Sequence, residues 1–218
     1  MTFRLADDGR RGAPSLGIAE EELAAVVRLI VVAARRTRIK DLPGDPEALE
    51  NRLSVFLHQN LIDLQRRARI ESLEFFLEAS INLPEYKRGK VAGRIDLKVK
   101  FPHQWGRYES YFGVECKRLA PGQNALSRYY MTAGIGKFID GTYSRGHPAG
   151  MLVAYVLGPT LEDCSREVAE RVAAGHPRAG KLVDWAPPVH DAVVLEGGMP
   201  RRVGDDMRLL HTFVRMYG

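Results

Sequence analysis

Two stretches, "GRIDLKVKF" at 93–101 and "SYFGVECKRL" at 110–119, carry Asp96, Glu115 and Lys117 inside runs that otherwise read as apolar strands. Charges in such positions either pair with one another or serve chemistry. If the strands form an antiparallel hairpin with Phe101 facing Ser110, Asp96 stands directly opposite Glu115. Alternation then gathers Arg94, Asp96, Glu115 and Lys117 on one face, with Ile95, Leu97, Val99, Phe101, Val114 and Cys116 on the other. A slip of one residue would undo that grouping. Facing carboxylates repel unless a proton or a cation lies between them, and a hard divalent cation suits converging oxygens. The Cys116 carbonyl lies nearby as a further ligand, and Lys117 points the same way as Glu115, toward a water on the cation or a phosphate oxygen. A cross-strand salt-bridge network on a solvated face, in which Arg94 and Lys117 neutralise the two acids, accounts for the same spacing.

Such a cluster needs a frame. Upstream, "LPGDPEALENRLSVFLHQNLIDLQRRAR" predicts a helix with Asp45 as N-cap and Pro46 at the first position. Its inner stripe of Leu53, Leu57, Leu61 and Leu64 extends back to Glu50, which is either aimed at the core side or a wet first-turn acid favoured by the helix dipole. An earlier helix spans about 19 to 37 and closes on Arg35, Arg36 and Arg38, and residues 1–17 are read as a mobile arm. A strand at 70–81 precedes the hairpin, and a helix at 123–140 leads to "AGMLVAYVLG", a strand of the kind buried on both faces. A helix at 160–175 capped by Thr160, a loop-rich "HPRAGKLVDWAPPVH", and strands "HDAVVLEG" and "MRLLHTFVRMY" complete the order. Residues 18–218 thus read as a single α/β domain, with its core at about 46–157 and additional elements at 160–218.

A net charge of +5 and a pI near 9.3 fit a polyanionic partner without requiring one. Two cysteines, Cys116 and Cys164, make no disulfide framework, and neither they nor His58, His147, His176, His190 and His211 have zinc spacing. The run "LAAVVRLIVVAA" at 23–34 is too short to span a bilayer, contains Arg28 and follows three glutamates, so a cytoplasmic protein with no membrane role is expected. No Gly-x-Ser-x-Gly elbow occurs, and "GIGK" at 134–137 lacks the remainder of a phosphate loop, so Gly134 and Gly136 are read as permitting close packing. His103 and Trp105 are read as stabilising the hairpin loop.

"GRID" followed by "VECK" resembles the signature of the PD-(D/E)XK nuclease superfamily, although Arg94 and Ile95 stand where the name has its proline. That resemblance implies a restriction-endonuclease-like αβββαβ core with a central mixed sheet flanked by helices. It implies Mg²⁺, with Mn²⁺ as substitute, held by Asp96 and Glu115, with Glu50 or Glu78 added to the shell. Lys117 would orient or activate the attacking water in phosphodiester hydrolysis, on DNA in preference to RNA. Arg94 beside the site and Arg128, Tyr130 and Lys137 on the 123–140 helix become the candidates for touching the nucleic-acid backbone. The stretch "YYMTAGIGKFIDGTYSRGHPAGMLVAYVLG" is similar to bacterial restriction-like proteins, some tied to phage defence or mobile elements, which implies protein partners of such a system and allows a homodimer. The same fold could instead serve as a non-catalytic binding subunit of a defence complex.

Overall fold

The computed structural model describes residues 18–37, 49–81, 93–105, 110–144, 146–158, 160–186, 188–202 and 204–216. Helices α1 (Glu20–Arg36) and α2 (Leu49–Ala68) form where apolar residues return every three or four positions: Leu23, Val27, Ile30 and Ala34 on the first, Leu53, Leu57 and Leu61 on the second, all buried. Glu20, Glu21 and Glu22 in the first turn of α1, with Arg35 and Arg36 in its last, complement the helix dipole. The two helices are fastened by Asn60 Nδ2, which donates to Ala33 O and to Thr37 Oγ1, each at 3.1 Å. The expected cap at Asp45 and Pro46 and the expected arm at 1–17 lie outside the described residues.

After α2, strands β1 (Glu74–Ile81), β2 (Gly93–Lys100) and β3 (Phe112–Leu119) run as an antiparallel meander. The register predicted from the hairpin is the one found, with Leu97 opposite Val114 and Val99 opposite Phe112. In the connecting loop the His103 ring stacks on Phe101 at 5.8 Å, consistent with a turn-stabilising role, whereas Trp105 is exposed.

The sequence predicts an unbroken helix over 123–140. The structure instead has α3 (Asn124–Tyr129), a π-helical turn (Tyr130–Ile135) and α4 (Gly136–Ile139). Two residues of the widened turn press on the sheet: Tyr130 shares a 2.9 Å hydrogen bond with His211 Nδ1, and a Cβ on Gly134 would stand 2.5 Å from Leu152 Cδ2. Gly134 therefore does permit close packing. Gly136 does not need to, since nothing nearer than Met131 O, at 3.5 Å, would meet its Cβ.

This helical passage delivers the chain to β4 (Ala149–Val156), parallel to β3. Next come α5 (Leu161–Gly175), β5 (Val183–Asp184), β6 (Ala192–Met199) and β7 (Met207–Arg215). The seven strands form one mixed sheet in the order β1-β2-β3-β4-β7-β6-β5. β4 lies at its middle, and its continuous apolar run is buried throughout. β5 falls in a stretch that reads as loop, because two residues are too few to show alternation.

Side chains alternate into two cores. Leu97, Val99, Val114, Met151, Val153 and Tyr155 meet α1 and α2, while Leu152, Ala154, Leu209 and Phe213 meet the α3–α4 passage and α5. At roughly 1.5–3 kcal/mol for each fully buried large side chain, these cores are what hold the hairpin in place. Among the described residues, no helix is long and apolar enough to cross a membrane.

Candidate active site

Pairing between β2 and β3 holds from Val99–Phe112 to Leu97–Val114 and then stops. At the next position, Asp96 and Glu115, side chains replace the ladder: Asp96 N–H donates to Glu115 Oε2 at 3.4 Å, and Cys116 N–H donates to Asp96 Oδ2 at 2.7 Å. Alternation breaks at the same place. Ile95 packs in the core opposite to that of Leu97, which corrects the expectation that it shares a face with Leu97, Val99, Phe101, Val114 and Cys116. Gly113 makes this possible, since a Cβ there would stand 2.6 Å from Ile95 Cδ1.

Into the gap between the strands reaches Lys117. Its Nζ donates to Glu50 Oε1 at 2.7 Å, Glu115 Oε1 at 2.8 Å and the Cys116 carbonyl at 3.0 Å. Glu115 and Lys117 are only 5% and 3% exposed, so the cluster is not a solvated salt-bridge face. Arg94 is exposed and forms no ion pair among the described residues; its carbonyl accepts from the Tyr143 hydroxyl at 2.9 Å. Glu50 takes the inward of its two expected orientations, placed by the α2 stripe, with its side chain 16% exposed. Glu78 stands on β1, but its side chain lies outside the described residues.

Glu115 and Glu50 grip one ammonium and Asp96 stands beside them on the Cys116 N–H, a formal charge of −2 for the four groups when all are ionised. Burial pushes the Glu115 carboxyl up to about 8, and the Asp96 charge adds to the effect against the pull of Lys117. Burial likewise raises Asp96, opposed by Lys117 and the Cys116 N–H. For Lys117 burial acts the other way, yet Glu115, Glu50 and Asp96 together hold its affinity for the proton above the ordinary lysine value. The lysine is charged, and the acids around it are under-compensated.

Three neighbours escaped the sequence reading. Ser54 on α2 lies beside Asp96, its hydroxyl donating to the Glu50 carbonyl at 3.1 Å, and its spacing of four residues from Glu50 is the signal that could have found it. Tyr143 donates to Glu115 Oε1 at 3.4 Å from the loop before β4, with no local signal. The ring of Tyr129 lies beneath Lys117 Nζ, 5.2 Å from centroid to nitrogen, while half of its surface is exposed.

Tyr130, a candidate for backbone contact, is fully buried and bonded to His211, so it packs the core and cannot meet a ligand in this arrangement. The buried stripe Ser127, Tyr130, Gly134 and Phe138 already carried that helical phase. Arg128 is exposed and Lys137 half-buried on the outer side of the passage, away from the carboxylates.

The donor set of Asp96, Glu115, Glu50 and the Cys116 carbonyl is all oxygen, and its surplus charge equals that of one divalent ion, so in kind it fits a hard cation. Among the described residues, however, no three His, Cys, Asp or Glu side chains are gathered as a metal site. Lys117 Nζ occupies the middle of the set, and a cation there requires it to swing aside. No protein-family model, curated protein or solved structure matches the chain.

Proposed function

We propose that the chain is a metal-dependent nuclease with a restriction-endonuclease-like core, hydrolysing phosphodiester bonds of DNA in preference to RNA. The observation that carries this is the grip of Glu115 and Glu50 on the buried Lys117, with Asp96 held beside them by the Cys116 N–H, at the point where β2 and β3 part. A helix, a three-strand meander, a helical passage and a parallel strand surround it in the order the PD-(D/E)XK resemblance implies.

Asp96, Glu115, the Cys116 carbonyl and Glu50 would hold Mg²⁺ or Mn²⁺. Bound there, the ion would polarise the scissile phosphoryl group and make water a better nucleophile. The chain's own residues supply the rest. Lys117, kept protonated by its carboxylates, would on swinging away from Glu50 and Glu115 donate to a non-bridging phosphate oxygen or orient the attacking water. Tyr143 fixes the Glu115 carboxylate, and Cys116 N–H fixes that of Asp96. The net charge of +5 supports a polyanionic substrate.

The test is cleavage of single-stranded, duplex and branched DNA with Mg²⁺ or Mn²⁺. Asp96→Ala and Lys117→Ala should each abolish it while circular dichroism reports an intact fold; retained cleavage in either variant removes the site. A second reading, a non-catalytic binding subunit of a phage-defence or mobile-element complex, is favoured by Lys117 already filling the space among the oxygens. Under that reading a Mg²⁺ or Mn²⁺ titration shows no uptake that depends on Asp96 and Glu115.

A further inference from the structure

A groove of about 680 Å³ separates the α3–α4 passage from the C-terminal end of α5. It lies on the outer side of the π-helical turn, whose inner side packs on Leu152 and Lys117 through Gly134. Arg128, Lys137, Arg171 and Arg202 all line it, against one carboxylate, Asp140. Met131, Ala174 and Gly175 give it an apolar floor, and His176 stands at its end.

Two structural explanations for these cations can be weighed. The first is ion pairing, which holds for Arg171: it binds Glu167 at 2.9 Å and also Asn124. Arg128, Lys137 and Arg202 form no ion pair within the described residues. The second is neutralisation of the carbonyl ends of α4 and α5, each equivalent to roughly half a negative charge. The side chains of Arg128, Lys137 and Arg202 donate no hydrogen bond to those carbonyls; only the Arg202 backbone N–H reaches Ile139 O, at 2.9 Å. With Arg171 matched by Glu167 and both helix ends counted at full weight, the remaining three cations still outweigh Asp140 and the two dipoles by about one charge.

A concave site of this volume is of ligand size. A single carboxylate would need only one guanidinium; three uncommitted cations over an apolar floor suit a phosphate with an attached planar, apolar-faced group. We propose that this groove binds a nucleoside phosphate, with the phosphate toward Arg128, Lys137 and Arg202 and the base on Met131 and Ala174. The ligand is either a free nucleotide or a terminal nucleotide of a strand. The proposal is independent of the nuclease reading, since it requires no metal and no cleavage.

Binding would be measured by calorimetry in EDTA and low salt, with inorganic phosphate, AMP, the dinucleotide pApA and a 5′-phosphorylated dodecanucleotide as probes. The wild-type chain would be compared with the Lys137→Ala/Arg202→Ala double variant, and with Arg166→Ala, on α5 outside the groove, as control. The proposal expects AMP or pApA, or the dodecanucleotide, to bind at least tenfold more tightly than inorganic phosphate. It also expects the double variant to lose at least tenfold in affinity and the control to lose none. Preference for AMP and pApA identifies a free nucleotide; preference for the dodecanucleotide identifies a strand terminus. Equal affinity for phosphate and nucleotides, binding unchanged in the double variant, or no binding by any probe at 1 mM overturns it, and unfolding curves confirm that the double variant is folded.

Discussion

Glu115→Gln separates a structural ion pair from a site held ready for a cation. The substitution keeps the shape of the side chain and fixes it in an uncharged form. In the metal-free fold the Glu115 carboxyl is raised from 4.5 to about 8, by burial first and by Asp96 second. The sign follows from proton counting. Below pH 4.5 the group is protonated in both the folded and unfolded states and contributes nothing. Between 4.5 and about 8 the unfolded chain ionises first, so stability falls as pH rises, and above 8 the full penalty is present. At about 1.4 kcal/mol per decade of proton affinity, that penalty is on the order of 5 kcal/mol. Chemical denaturation in EDTA, followed through the buried Trp185, should therefore show wild type and variant nearly equal at pH 5, with the variant more stable by several kcal/mol at pH 9. Addition of Mg²⁺ at pH 8 should stabilise the wild type and leave the variant unmoved, and the variant should not cleave DNA. A variant less stable than wild type at pH 9, or a difference that does not change with pH, would show that ionised Glu115 is fully satisfied by Lys117, and the reasoning would fail.

Other expectations can be checked with the same unfolding assay. His211 is wholly buried and its affinity for a proton is depressed to about 3, and burial depresses His147 to about 4. The unfolded chain therefore takes up protons below about pH 6.5 that the fold refuses, and each histidine should cost about 2 kcal/mol between pH 6.5 and 5. In the Glu115→Gln background, where the more strongly shifted of the two opposing carboxyls no longer titrates and Asp96 alone still opposes, melting temperature should drop on acidification from pH 7 to 5; an unchanged value would contradict the assignment. Gly134→Ala forces a Cβ to 2.5 Å from the buried Leu152 and should destabilise by about 1–3 kcal/mol, whereas Gly136→Ala, with room around it, should be neutral or stabilising by up to about 1 kcal/mol. Equal effects at the two glycines would refute the packing argument. Tyr143→Phe removes the donor to both Arg94 O and Glu115 Oε1 and should cost about 1 kcal/mol in stability while lowering kcat more than it raises KM.

Period-two alternation made the β2–β3 register legible, because a slip by one residue would have turned Leu97 and Val99 out of the core. It could not show that alternation fails at Asp96. That failure depends on Gly113 admitting Ile95 from the neighbouring strand and on Cys116 N–H finding a carboxylate in place of a carbonyl, both contacts across the sheet. Glu50 was legible as an inward acid because a helix repeats its phase, but which of two open orientations it takes was decided by Lys117, 67 residues away in the chain. Tyr129 and Tyr130 are adjacent and chemically alike, so only phase divides them, and the buried stripe through Ser127, Gly134 and Phe138 assigns Tyr130 to the core.

The parting of the strands is what gives the cluster its chemistry. Had the ladder continued through Asp96 and Glu115, backbone groups would have satisfied one another, and the two carboxylates would have stood as an ordinary cross-strand pair without backbone N–H donors. Because it stops, backbone N–H groups of Asp96 and Cys116 are spent on orienting the carboxylates, and Lys117 can thread between the strands to Glu50 on the helix behind. The apolar cores on either side hold that opening apart against the cost of a buried Glu115 with Asp96 and Glu50 close by and one cation among them, and the same surplus of negative charge is what a divalent ion would relieve.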